Sequence, residues 1–292
     1  MQIAELKVSS YPNCIKYYEL DVAIGCNVKC IYCGLANANQ KVRCVNIDEV
    51  LKQVTNVKGV YLSPNTDAFS KICSDTSHKI LEYCLPKGIK FLLITKNIIP
   101  KKTIELIAKY PQQITIKVSL ARINQELIKY IEPGSASADN RLKTMKSLVD
   151  AGLKVQALLM PLYPGIDDDE EKIISLIDKI HETGVRLVKA AYVVIRKGDK
   201  PKDKEIINKM LSHTELKNSW DLMTEIQQVQ IGEGQIYPFE KRLSFYSMLA
   251  KICSERDMKF SACTVLDSAL KNITNSDFLI CKKLHFLPDL LK

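Results

Sequence analysis

No apolar run in this 292-residue sequence approaches the ~20 residues of a membrane span, and residues 1–20 hold no signal-peptide core. A membrane protein or secreted chain is therefore not expected; a cytoplasmic one is. Ten cysteines without a secretion signal argue against a disulfide framework and for thiols and metal in a reducing compartment. Arginine is scarce, 7 against 35 lysines, although the formal net charge is +9. Arginine is the side chain that grips bases and phosphates with two prongs, so lysines spread along the chain read first as a solvated face. The densest basic run, Arg196, Lys197, Lys200, Lys202 and Lys204, surrounds a turn at Gly198 and Pro201. The four histidines, His78, His181, His213 and His285, are scattered and form no metal or catalytic constellation. Internal repeats and low-complexity segments are absent. There is one tryptophan, Trp220, which defaults to core. What remains is ordinary: 46% hydrophobic and 26% charged residues, in a chain long enough for one barrel-sized domain.

Strand-like and helix-like segments alternate along that chain. Tyr17–Ile24, Gly59–Leu62, Lys90–Thr95, Ile114–Leu120, Lys154–Met160 and Leu187–Ile195 are rich in Val, Ile, Leu or aromatics and read as strands. Ile47–Thr55, Ser74–Leu85, Lys102–Lys109, Asp139–Ala151 and Asp168–Glu182 carry apolar residues at three- and four-residue spacing and read as helices. Such alternation predicts a parallel sheet with right-handed crossovers, here a partial (β/α)6 barrel of the α/β class. Residues 1–195 form this expected core, and 196–292 a mainly helical extension packed on it. In the extension, Lys202–Leu211, Thr214–Gln227 and Glu240–Arg256 read as helices. Ile231–Pro238 reads as a loop, Met258–Val265 as a strand, and a short helix follows to Asn272.

Three cysteines mark the first loop. Cys26, Cys30 and Cys33 stand in a Cys-x3-Cys-x2-Cys run directly after the first strand. Three thiolates can hold three irons of a four-iron cluster and leave the fourth iron open to a ligand. A structural zinc site would want a fourth protein ligand, which Cys14 or Cys44 would have to supply. Core packing explains three cysteines in eight residues poorly.

Parallel barrels carry their chemistry at the C-terminal ends of strands. The polar and glycine-containing segments fall there: Ser63-Pro64-Asn65-Thr66-Asp67 after the second strand, Thr95-Lys96-Asn97 after the third, Ser119 ending the fourth, and Met160 to Gly165 after the fifth. Taken singly, Asp67 reads as a turn residue, Lys96 as a surface lysine and Ser119 as a strand-end hydroxyl. Convergence on one rim favours ligand binding.

The cysteine spacing, with the aromatic Tyr32 before Cys33, resembles the radical S-adenosylmethionine (SAM) superfamily. The order Thr66-Asp67, Thr95-Lys96, Ser119, Glu132-Pro133-Gly134, Arg141 and Pro164 to Asp167 resembles its spore photoproduct lyase-like branch, the DNA repair photolyases, from Tyr17 to Ile195. The resemblance implies a [4Fe–4S] cluster on Cys26, Cys30 and Cys33, with Tyr32 beside the adenine of SAM. It places Thr66 and Asp67 at the methionine amino group, Lys96 at the carboxylate and Ser119 at the ribose. Arg141 would meet either the SAM carboxylate or Glu132. It further implies an electron donor such as flavodoxin or ferredoxin, and a 5′-deoxyadenosyl radical that abstracts hydrogen from a substrate.

One departure bears on that substrate. Where the lyases carry a hydrogen-donating cysteine, three residues before Asp67, this sequence has Pro64. Cys73, farther along the same loop, is the candidate replacement and the one candidate catalytic thiol. Three functional readings stand: an enzyme acting on a nucleic acid lesion or base, one acting on a peptide or small metabolite, and, outside enzymology, a zinc-binding interaction protein. Cys253, Cys263 and Cys281 follow no ligand spacing and read as packed.

Overall fold

The computed structural model describes residues 6–8, 17–34, 41–54, 57–196, 201–229, 232–273 and 278–281. In chain order the first elements are strands β1 (Lys7–Val8), β2 (Tyr18–Leu20), β3 (Ala23–Ile24) and β4 (Arg43–Cys44), then helix α1 (Ile47–Gln53) and β5 (Gly59–Leu62). Next come α2 (Ser74–Cys84), β6 (Lys90–Thr95), α3 (Lys101–Ile107), β7 (Ile114–Ser119), α4 (Gln125–Ile131) and α5 (Ala138–Asp150). Strand β8 (Val155–Leu162), α6 (Glu170–Glu182), β9 (Leu187–Tyr192) and β10 (Ile195–Arg196) lead to α7 (Pro201–Leu211) and α8 (Thr214–Leu222). The last are β11 (Glu225–Val229), β12 (Gly232–Ile236), α9 (Phe239–Ser254), β13 (Lys259–Cys263) and β14 (Leu279–Cys281).

Local signals explain these boundaries. Helix α6 begins where Asp169 accepts from the Lys172 N–H, with Glu170 and Glu171 in the first turn and Lys179 and His181 in the last, the arrangement the helix dipole favours. It buries Ile173, Leu176, Ile177 and Ile180 at three- and four-residue spacing, and Gly184 follows at φ +86°.

The main sheet runs β1-β2-β5-β6-β7-β8-β9-β13-β14. Strand β1 pairs antiparallel with β2; every other neighbouring pair is parallel. The first six parallel strands, each followed by helix or loop, are the expected partial (β/α)6 barrel. Strands β13 and β14, from the region after residue 195, continue the same sheet.

The two faces of this sheet differ. Phe91, Leu93, Ile116, Val118, Ala157, Leu159, Val188 and Ala190 pack under the helices in the main core. Alternation turns the residues between them to the interior of the barrel.

The structure corrects several element readings. The expected strand Tyr17–Ile24 is two strands, because the chain turns after Leu20 so that β3 can pair with β4. Helix α4, unread in the sequence, is started by Asn124, which accepts from the N–H groups of Glu126 and Leu127. The expected helix Thr214–Gln227 stops at Leu222, and the expected loop Ile231–Pro238 is largely strand β12. There β10, β12 and β11 form a separate antiparallel sheet. Its polar strand β11 is held by tertiary contacts: Gln227 donates to Leu266 O at 3.0 Å, and Glu225 reaches Arg242 at 3.6 Å. Arg242, fully buried, grips Asp267 at 2.7 and 3.0 Å and ties α9 to the segment after β13. No helix among the described residues is long and apolar enough to cross a membrane.

Candidate functional site

The cysteine loop is the connection between β3 and β4. It enters through Gly25 at φ +79° and turns again at Lys29, whose φ is +52°. The loop is docked by its neighbour after α4: Ile31 N–H donates to Ile131 O and Gly134 N–H to Val28 O, both at 2.9 Å. A Cβ on Gly134 would sit 1.8 Å from the Asn27 carbonyl oxygen, so only glycine allows this approach.

The sulfurs sit among donors. Burial pushes the Cys26 thiol up, while backbone N–H groups of Val28 and Lys29 donate to its sulfur. Burial pushes Cys30 up to about 12, opposed by the positive charge of Lys96 and by the neighbouring Tyr32 hydroxyl. N–H donors and a nearby ammonium are what a cluster-bound thiolate needs in place of protons. Among the described residues, no three His, Cys, Asp or Glu side chains converge on a point for one ion. A cluster does not require that, since each thiolate holds its own iron; a zinc ion would. Of the two proposed fourth zinc ligands, Cys44 instead donates to Ile72 O at 3.2 Å, and Cys14 lies outside the described residues.

Cys26, Cys30, Tyr32 and Cys33 open onto a cavity of about 190 Å³. Its other walls are the second-strand segment Ser63 to Asp67 with Tyr61, and the third-strand residues Ile94, Thr95 and Lys96. Asp67 welds these walls together. It accepts from Thr95 Oγ1 at 2.7 Å, from Lys96 N–H at 2.8 Å and from Phe69 N–H at 2.9 Å. A carboxylate offers about four acceptor sites, so one remains for a ligand. Thr66 reaches Asp21 at 3.4 Å, and Asn65 donates twice to the same carboxylate at 3.0 and 2.8 Å. Burial raises the Asp21 carboxyl; the bonds from Asn65 and Thr66 oppose that.

Behind the cysteines, Glu132 is a buried hub. Arg141 pairs with it at 2.8 Å, and the Tyr32 hydroxyl donates to it at 2.7 Å. Burial would raise this carboxyl, but Lys96, Arg141 and Arg122 outweigh it and hold it below the ordinary range. Burial likewise pulls Lys96 down, and Glu132 with Cys30 overcomes it, so the ammonium keeps its charge beside the cavity. Arg141 is the cationic partner of Glu132. Its guanidinium is spent on Glu132, Ala136 O, Ser119 O and Ser135 Oγ, and it is 1% exposed. A neighbouring pair does similar work: Arg122 grips Asp167 at 2.9 and 2.6 Å and also donates to Pro161 O.

The structure thus brings together Cys26, Cys30, Cys33, Tyr32, Thr66, Asp67 and Lys96. Ser119 is buried one strand farther on, outside the cavity lining. Cys73 is not brought to the cavity. It lies 1% exposed in the main core at the start of α2, hydrogen-bonded to Ser70 and Cys44, and burial pushes its thiol up to about 12. Tyr163, inside the fifth-strand segment read as part of the rim, was given no role of its own. Its ring packs edge-on to Tyr32 at 6.5 Å, and its buried hydroxyl has no partner among the described residues. An aromatic between two prolines in the fifth-strand segment was the available signal.

A family model of the radical SAM superfamily matches residues 21–177, more than half of the chain. Protein ORF301 of Acidianus two-tailed virus is 27% identical over 193 residues, 58% of this chain and 64% of that one. The chain thus spans less than two thirds of the length of that relative. The subtilosin biosynthesis protein AlbA of Bacillus subtilis is 26% identical over 137 residues, 46% of this chain and 30% of its own. Among solved structures, a spore photoproduct lyase variant with bound AdoMet and dinucleoside spore photoproduct superposes with a TM-score of 0.68. It is 15% identical and is matched over 88% of this chain and 78% of that one.

Proposed function

The chain belongs to the radical SAM superfamily, and from that premise we propose that it holds a [4Fe–4S] cluster on Cys26, Cys30 and Cys33 and cleaves SAM reductively. Cluster and SAM together supply a 5′-deoxyadenosyl radical for hydrogen abstraction from a substrate. The chain's own residues bind and orient. Lys96 would offer a charged ammonium to the SAM carboxylate, and Asp67, with Thr66 beside it, would accept from the amino group. Tyr32, steadied by Glu132, would lie along the adenine, and Ser119 would meet the ribose where SAM extends past the cavity lining toward the next strand. The buried Glu132–Arg141 and Arg122–Asp167 pairs hold these groups and keep water from the reacting side. An electron carrier such as flavodoxin or ferredoxin would reduce the cluster.

One observation carries this reading: three cysteines of one loop share a cavity with Asp67 and Lys96 from two other strand ends. The test is anaerobic incubation of cluster-loaded protein with dithionite and SAM. Release of 5′-deoxyadenosine and methionine is expected. A full cluster with no cleavage would overturn the reading.

For the substrate we favour a nucleic acid lesion or base. Support comes from the fold shared with a lyase solved with a dinucleoside photoproduct, and from the net charge of +9. A peptide or small metabolite is the second reading, favoured by Pro64, which lines the cavity where a hydrogen-donating thiol would be needed. DNA binding at two salt concentrations, with turnover assays on lesion-bearing oligonucleotides, separates the two.

A further inference from the structure

The connection that carries the three cysteines is basic throughout. From Val22 to Ile47 the sequence has no Asp or Glu, although the whole chain holds 33 of them, and it has Lys29, Lys41 and Arg43. All three are exposed, and none of them lines the cysteine cavity. Lys29 stands between Cys26 and Cys30, at the second turn of the loop. Arg43 pairs in register with Ile24, two residues before Cys26.

A fourth cation arrives from the end of the barrel sequence. Ile31 of the loop shares a buried cluster with Ile195, Ile206, Met210 and Met223. Arg196, next to Ile195, is thereby carried onto the loop. A Cβ on Gly34, the residue after Cys33, would stand 3.3 Å from a terminal nitrogen of its guanidinium. The Arg196 Nε is buried with no hydrogen-bond partner among the described residues. A fixed guanidinium with unused donors is costly unless an anion meets it. None of these four cations has an ion pair among the described residues. Elsewhere on the surface Lys101, Lys102, Lys146, Lys209 and Arg256 each reach a carboxylate.

We infer that Lys29, Lys41, Arg43 and Arg196 form the docking surface for an acidic one-electron carrier protein. The inference rests on the radical SAM reading, which requires an electron from outside at the cluster. Location favours a carrier over a nucleic acid. The patch lies beside Cys26, Cys30 and Cys33 and outside the cavity, whereas a substrate must reach SAM within it. The carrier gives up one electron and the cluster takes it up; no bond forms or breaks. Encounters of this kind are small and transient and draw their rate from complementary charge, so salt slows them.

Stopped-flow reduction of cluster-loaded protein tests it, with reduced flavodoxin and reduced ferredoxin as probes and bleaching of the cluster absorbance as the readout. With at least one carrier, the parent's rate should fall tenfold or more from low to high salt. Lys29→Gln with Arg196→Gln in one protein should slow low-salt reduction tenfold or more and flatten the salt dependence. Lys41→Gln with Arg43→Gln, away from the turns of the loop, should slow it threefold or more if the first variant fails to fold. Iron content and reduction by the methyl viologen radical, a small cation, should match the parent in both.

A parent rate without salt dependence overturns the inference, as does a folded variant reduced like the parent. Equally slowed reduction by viologen overturns it too, because the cations would then act on the cluster itself. So does tenfold weaker binding of duplex DNA with carrier reduction unchanged, which would assign the patch to nucleic acid. SAM cleavage driven by viologen is measured on the same parent preparation. If cleavage is normal and the carriers show no salt effect, this inference alone fails; if cleavage is absent despite a full cluster, the radical SAM reading fails with it.

Discussion

Glu132 carries more of the site than any residue the sequence placed in contact with SAM. It was legible as part of a Glu-Pro-Gly run, but its work, pairing Arg141 and steadying Tyr32, depends on long-range approach that no spacing encodes. Breaking a buried pair by removing one partner leaves a buried charge, so Glu132→Gln should cost about 3–5 kcal/mol of stability, read by denaturant unfolding. The pH dependence follows from its depressed carboxyl. Stability from this group is fully present above its unfolded value near 4.5 and is lost as pH falls through the lower folded value. Parent stability should therefore drop in that acidic window, and the Gln variant should show a shallower drop. At the cavity itself, Asp67→Ala and Lys96→Ala should weaken SAM binding tenfold or more in equilibrium dialysis while iron content stays at the parent level. Parent-like SAM affinity in both would refute these roles. The cysteines, Asp67 and Lys96 were readable because strand ends are where such chemistry collects. The burial of Cys73 was not, since a thiol near a helix start looks the same in sequence whether packed or exposed.

Among the elements, the barrel strands were the easiest to read. Runs such as Phe91-Leu92-Leu93-Ile94 and Ile114 to Val118 are β-prone on both faces, and their observed bounds match the expected ones within a residue or two. Strands β11 and β12 escaped notice for the opposite reason. Glu225, Gln227 and Gln228 look like a helix surface, and only pairing with β12 and anchorage to Leu266 and Arg242 make them a strand. The segment after α4 is the element on which the cysteine loop rests. Gly134→Ala should push Asn27 away and loosen that dock, so its iron content after reconstitution should fall to below half of the parent's. Gly88→Ala is the control: its added Cβ meets nothing within 4 Å, and its φ of +79° makes it strained all the same, so backbone strain alone is tested there. Equal iron in parent and Gly134→Ala would remove the dock from the account.

At the scale of the described molecule, one face of the main sheet packs under the helices, and the other meets the cysteine cavity at Tyr61 and Ile94. Outer residues follow the hydrophobic pattern and were legible; Lys117, Gln156 and Lys189 break it, and their burial follows only from the closed sheet. The net charge of +9 acts at this scale too. If DNA is bound through lysines, affinity should fall steeply with salt, because each phosphate contact releases a counterion. Of the basic run after β10, Lys202 already pairs with Glu205 at 3.3 Å, and Lys197 to Lys200 lie outside the described residues. Replacing Lys197, Lys200, Lys202 and Lys204 with Gln should flatten the salt slope, and an unchanged slope would move the nucleic acid contact elsewhere. The central claim remains that one loop of three cysteines holds the cluster. Iron and sulfide analysis after anaerobic reconstitution tests it most directly, with the parent beside the triple variant Cys26→Ala, Cys30→Ala, Cys33→Ala. About four irons and the broad absorbance of a [4Fe–4S] cluster are predicted for the parent and neither for the variant; a triple variant that keeps a full cluster would contradict the account.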